Sequence, residues 1–141
     1  MATFTSKISE TLVLNGNNVG SSVTYTNSNV NYVDNRFLSI PTGSQTTIFS
    51  FSSVPGAGQF TTSSLIYARI TNTSTTVPIQ LNVTSSNTKT TFLVSAGSSF
   101  LLSTSKVTGS IDNTFTLEDI RNINVQPSGS SATIEYYIAT T

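Results

Sequence analysis

The chain has 141 residues, six basic and six acidic side chains, and hence no net charge at pH 7; 62 residues are Ser, Thr or Asn (24, 25 and 13). It contains neither Cys nor His, which excludes disulfides, thiolate metal sites, the usual zinc sites and the Ser-His-Asp and Cys-His nucleophile systems. Nucleic-acid binding needs Lys and Arg to neutralise phosphates, and a bilayer needs roughly 20 consecutive apolar residues; neither pattern is present, so neither partner is expected.

With 36% apolar residues and no net charge, the chain reads as one folded domain, 1–141, large enough for its own core. The opening MATFTSKISE has no basic segment followed by an apolar one, so export by the Sec route is not expected. Residues 1–7 read either as an arm reaching a neighbour, with Phe4 as its apolar anchor, or as a frayed terminus. The richness in Thr, Val, Ile, Phe and Tyr, with few strong helix formers, predicts an almost wholly β protein.

Residues 8–14 alternate, with Ile8, Leu12 and Leu14 on one face, although Glu10 interrupts it. Asn15-Gly16-Asn17-Asn18 is a turn signal, and residues 19–25 follow as a half-buried strand with Val19, Val23 and Tyr25 on one side. Residues 27–35 are Asn-rich and read as loop, with a short extended piece at 30–33. A strand at 36–40 stops at Pro41, and residues 46–52 carry Ile48, Phe49 and Phe51 on both faces, as a central strand does.

Residues 63–103 hold the clearest periodicity. Residues 65–72 are apolar on both faces, and 77–83 alternate strictly, with Val77, Ile79, Leu81 and Val83 inward. Pro78 marks an edge or a strand start. Residues 91–94 and 100–102 flank Ala96-Gly97-Ser98 as a tight hairpin. These four strands read as an antiparallel meander. Residues 106–115 read as loop around a short strand, and 116–120 as one helical turn with Thr116 as N-cap. Strands at 120–126 and 132–139 complete the chain. Eight to ten strands at roughly ten-residue spacing predict an antiparallel β-sandwich, jelly-roll-like.

Few residues suggest chemistry. Ser103-Thr-Ser-Lys106 matches S-x-x-K only formally, without the helix that such a motif needs. Asp112, Glu118 and Asp119 form the only acidic cluster; the alternatives are a hard-cation site built of carboxylate oxygens or a solvated turn. Glu10, Asp34 and Glu135 are isolated, so no carboxylate pair is nominated for glycoside chemistry. Gly56-Ala-Gly58 lacks the third glycine and the helix of a phosphate loop. Tyr25, Tyr32, Phe60, Tyr136 and Tyr137 are candidates for stacking on sugars, although alternation places Tyr25 and Tyr136 with the core. The sequons at Asn72 and Asn82 read as by-products of composition. No catalytic residue, metal ligand or cofactor is assigned, and no enzymatic activity is expected.

Leu65 to Asn72, the alternating 77–83, the V-x-A-G-x-S-F-x-L hairpin in 94–102 and the A-x-I-E-Y-x-I strand of 132–138 together carry a resemblance. In this style the chain resembles small β-sandwich virion proteins of tailed bacteriophages, notably marine and cyanobacterial ones. The resemblance covers less than half the chain and offers no ligand residue to transfer. It implies a capsid decoration or cement protein on the outer virion surface, bound to the major capsid protein, homo-oligomeric as a dimer or trimer. A head-fibre, tail or adaptor component is the alternative within the virion, and a carbohydrate-binding β-sandwich is the alternative outside it.

Overall fold

The structure, a computed structural model, describes residues 2–52, 54, 58–60, 64–108 and 116–141. Among these the chain forms fifteen strands and no helix. In chain order they are β1 (Ala2–Ser9), β2 (Val13–Leu14), β3 (Asn17–Asn18), β4 (Ser22–Val30), β5 (Tyr32–Ile40), β6 (Thr46–Phe51), β7 (Gln59–Phe60) and β8 (Leu65–Asn72). The remainder are β9 (Ile79–Thr84), β10 (Lys89–Val94), β11 (Ser99–Leu102), β12 (Lys106–Thr108), β13 (Leu117–Asp119), β14 (Asn122–Pro127) and β15 (Ala132–Thr140).

Nine strands make two sheets, ordered β10-β9-β14-β6-β7 and β11-β8-β15-β5. Every pairing in them is antiparallel except β6 with β7, which is parallel. Period-two alternation turns one apolar face of each sheet inward. Ile79, Leu81, Val83, Ile123 and Val125 from the first sheet meet Ala68, Ile70, Ile134, Tyr136 and Ile138 from the second in one buried cluster. Twelve of the largest core side chains, from Phe49 to Val83, are at most 1% exposed. This is an antiparallel β-sandwich, as composition and spacing predict; jelly-roll connectivity is a finer statement that this strand order does not establish.

Four expectations are corrected. The stretch 65–102 is not a meander: β8 and β11 pair in one sheet, while β9 and β10 pair in the other. Residues 95–98 are therefore an arch between sheets and not a tight hairpin. The reason is that the backbone of the arch bonds to β8: Asn72 N–H donates to the Ser98 carbonyl, and Gly97 N–H donates to the Asn72 carbonyl, each at 2.9 Å. Alternation reports which face is buried but not which neighbour a strand takes. Second, residues 116–120 form no helical turn; Leu117–Asp119 is β13, held by pairing with β12. Third, the Asn-rich 27–35 is strand almost throughout, as the end of β4 and the start of β5, because β5 completes the sheet along the whole length of β15.

The fourth concerns the first thirty residues. β1 pairs with β4, β2 with β3, and the same register continues between them, since Glu10 N–H donates to Ser21 C=O and Val19 N–H to Leu12 C=O. They form one long two-stranded ribbon, turned at Asn15 and Gly16, whose φ values of 50° and 81° are those of a two-residue hairpin turn. Where the ribbon is not regular strand, a Cβ on Gly20 would stand 2.0 Å from the Glu10 carbonyl oxygen, so only glycine fits there. The ribbon's root lies on the outer face of the β11-β8-β15-β5 sheet. Of the half-buried face expected at 19–25, Tyr25 is half-buried, but Val19 and Val23 are exposed, 55% and 62% accessible.

Candidate functional site

Cross-strand partners in a ribbon share a face, so Phe4, Ser6 and Ile8 stand with Asn27, Tyr25 and Val23. Alternation through the turn adds Leu12, Leu14 and Val19 to that face. The opposite face carries Thr5, Lys7, Ser9, Ser22, Thr24 and Thr26, with Val13 as its one large apolar residue. The ribbon is thus amphipathic.

Its two halves differ in what covers them. At the root, the Phe4 ring lies 4.9 Å from Tyr67 and 5.5 Å, stacked, from Tyr137, and Ser6 Oγ reaches Tyr67 Oη at 3.4 Å. Val30, Ile66, Tyr67 and Ala139 are buried beneath, with Tyr25 half-buried beside them. Beyond Ser6 nothing in the described chain covers the stripe: Ile8, Leu12, Leu14, Val19 and Val23 are 41–62% exposed. At about 3.3 Å per residue, the free part from Ile8 to the turn projects about 25 Å.

Most polar side chains that could do chemistry are already engaged with one another. Glu118 accepts from Ser85 Oγ, from Asn87 Nδ2 at 2.9 Å and from Asn87 N–H at 3.2 Å. The Ser85 hydroxyl and the Asn87 amide hold its carboxyl at about 2, below its ordinary 4.5. Its neighbour Asp119 pairs instead with Lys106 at 3.0 Å. The acidic cluster read from sequence is therefore divided, and Asp112 lies outside the described residues. Among the described residues no three metal-ligating side chains gather.

Ser103 falls in the link between β11 and β12, and Lys106 opens β12, held by Asp119. Glu135 is paired with Arg69 at 2.9 Å. Asp34 accepts from Arg36 Nε at 2.7 Å and from Tyr136 Oη at 2.9 Å. Burial, and then the bond to Asp34, pushes the Tyr136 phenol upward, while the bond and charge of Asp34 raise the Arg36 guanidinium. Glu10 is exposed on the ribbon.

The aromatic candidates do not converge. Phe60 and Tyr136 are core residues, Tyr25 stands on the ribbon's root and Tyr137 packs beneath it, and Tyr32 alone stands half exposed. Gly58 belongs to the turn before β7, and residues 55–57 lie outside the description. A cavity of about 680 Å³ opens at one end of the sandwich between Asn31, Phe51, Leu65, Asp119, Ile120 and Arg121. Its two charged residues, Asp119 and Arg121, share it with the hydroxyl residues Ser64, Ser105 and Thr141, and Asp119 is already paired with Lys106.

Asn72 was legible only as a sequon. Its side chain is wholly buried, donating from Nδ2 to the carbonyls of Val77 at 2.8 Å and Val94 at 3.1 Å, while Oδ1 accepts from Ser74 N–H at 3.1 Å. Asn82, in the second sequon, is 2% exposed and accepts from Thr91 Oγ1 at 2.8 Å. Neither amide is presented to solvent.

Comparison with protein-family models, with curated proteins and with solved structures gave no match.

Proposed function

We propose that this chain is a non-enzymatic structural protein of a phage virion, a decoration or cement protein that sits on the outer capsid surface, binds the major capsid protein and self-associates. The observation that supports an assembly role is the ribbon, whose apolar stripe is used at its root and left open over its outer half. A projecting apolar element without chemistry nearby suits binding to another protein surface better than it suits turnover of a small molecule. The virion part of the reading rests on the resemblance carried by 65–72, 77–83, 94–102 and 132–138.

A near-neutral surface of hydroxyls and amides fits that role, because contacts made by such groups are not screened by salt. The test is mass spectrometry of purified particles, with the stoichiometry of this chain against the major capsid protein. A copy number comparable to that of the shell subunit supports decoration. A handful of copies confined to a vertex or the tail replaces it with the head-fibre, tail or adaptor role, and absence from particles rejects the virion reading.

A further inference from the structure

The ribbon's open stripe has a counterpart elsewhere on the same chain. On the outer face of the β11-β8-β15-β5 sheet, the ribbon's root covers the middle strands at Tyr67 and Tyr137. The edge strand β5 is left bare: Val33 and Phe37, on the same face as Tyr137 and Glu135, are 50% and 76% exposed. Phe37 lies directly beside Glu135, whose charge is matched by Arg69 at 2.9 Å, so the strip carries no unpaired charge next to it.

We propose that the outer half of the ribbon docks on the outer face of this sheet in a second copy of the chain, placing Leu12, Val19 and Val23 over Val33 and Phe37. This specifies the self-association in the reading above and does not depend on its virion part.

Two observations favour a second copy over an unrelated partner. First, the proposed contact continues one the chain already makes: the same ribbon face, four to eight residues nearer the root, is seated on the same sheet face through Phe4. Second, both surfaces are mainly apolar and uncovered, with Glu10 and the mutually paired Glu135 and Arg69 as their charges, so each supplies what the other lacks. Reciprocal exchange of such arms closes a two-fold dimer, and one-directional exchange closes a ring. An uncovered two-stranded ribbon is itself only marginally stable in water, so cover on its apolar face also stabilises the ribbon.

The test uses the purified full chain, with no particle present. Native mass spectrometry and light scattering at tens of micromolar are expected to give a discrete multimer. L12S/V19S is expected to reduce it to monomer, as is F37S on the opposite surface, each with the thermal unfolding of the sandwich unchanged. Because the chain has no cysteine, a Leu12→Cys chain mixed with a Phe37→Cys chain should form an intermolecular disulfide under mild oxidation, while a Leu12→Cys chain mixed with a Ser99→Cys chain should not. A monomeric wild-type chain overturns the proposal, and so does a multimer that survives both surface variants. A chain that is monomeric alone yet abundant on particles overturns this inference while leaving the decoration role standing.

Discussion

Asn72 ends β8 with its side chain sealed from solvent, and its amide reaches the carbonyls of Val77 and Val94 while its oxygen takes the Ser74 N–H. The two segments that cross between the sheets here, β8 to β9 and β10 to β11, are therefore tied to one residue. Asn72→Ala leaves two main-chain carbonyls with one donor group fewer, and buried unsatisfied polar groups cost about 1–3 kcal/mol each. We expect a loss of about 3 kcal/mol in unfolding free energy, read from the urea midpoint at constant m-value. A loss under 1 kcal/mol would mean that water replaces the amide. Glu118 gives a second residue-scale expectation. Its folded pKa, about 2, lies below its ordinary 4.5, so its contribution is complete above about pH 4.5 and fades as pH falls toward 2. Glu118→Gln should lower stability at pH 7 and flatten the acid limb across that window. An unchanged acid limb would assign the limb to other carboxylates.

Strands were easier to read than their partners. Alternation of apolar residues at 79–83 and 132–138 locates the face that meets the other sheet, although Asn82, between two core residues, is buried as well. Pairing depends on distant backbone, and residues 65–72, apolar on both faces, fit two neighbours equally well in sequence. That is why β8 and β9, adjacent in the chain, lie in different sheets. The ribbon shows the same limit from the other side. Its turn and its two apolar alternations are visible from Ile8 to Tyr25, but the pattern of a strand that meets its own core matches that of a strand that leaves it. Phe4 is the element's fixing point. Phe4→Ala removes a half-buried ring stacked on Tyr137 and tilted against Tyr67, and we expect the opening of the ribbon root to become easier by about 2 kcal/mol. In hydrogen exchange, amides of β1 and β4 should lose protection while those of β9, β14 and β15 keep theirs. Loss of protection throughout would show that the ribbon and the sandwich unfold together.

At the scale of the molecule, the scarcity of charge shapes how the protein answers its surroundings. Twelve ionisable acidic and basic side chains serve 141 residues, with no histidine. Among the described residues they form three ion pairs, Asp34–Arg36, Glu135–Arg69 and Lys106–Asp119, each partly open to solvent. Exposed pairs are worth about 0–1 kcal/mol and are screened within a Debye length of about 3 Å at 1 M salt. Stability must therefore come from the apolar sandwich interior and from hydroxyl and amide bonds such as Thr91 to Asn82 and Thr47 to Asn124. Neither depends on ionic strength. Between the carboxylate range near 4 and the Lys and Tyr range near 10, no side chain here titrates with an ordinary pKa. Differential scanning calorimetry should thus find a melting temperature that moves by less than about 2 °C from pH 6 to 9, and by no more between 0.05 and 1 M NaCl. A shift above about 5 °C with salt would place a strong electrostatic contribution in a chain whose composition has little to supply one. Such indifference to salt is what a protein needs to hold an apolar contact on another surface when the ionic medium changes.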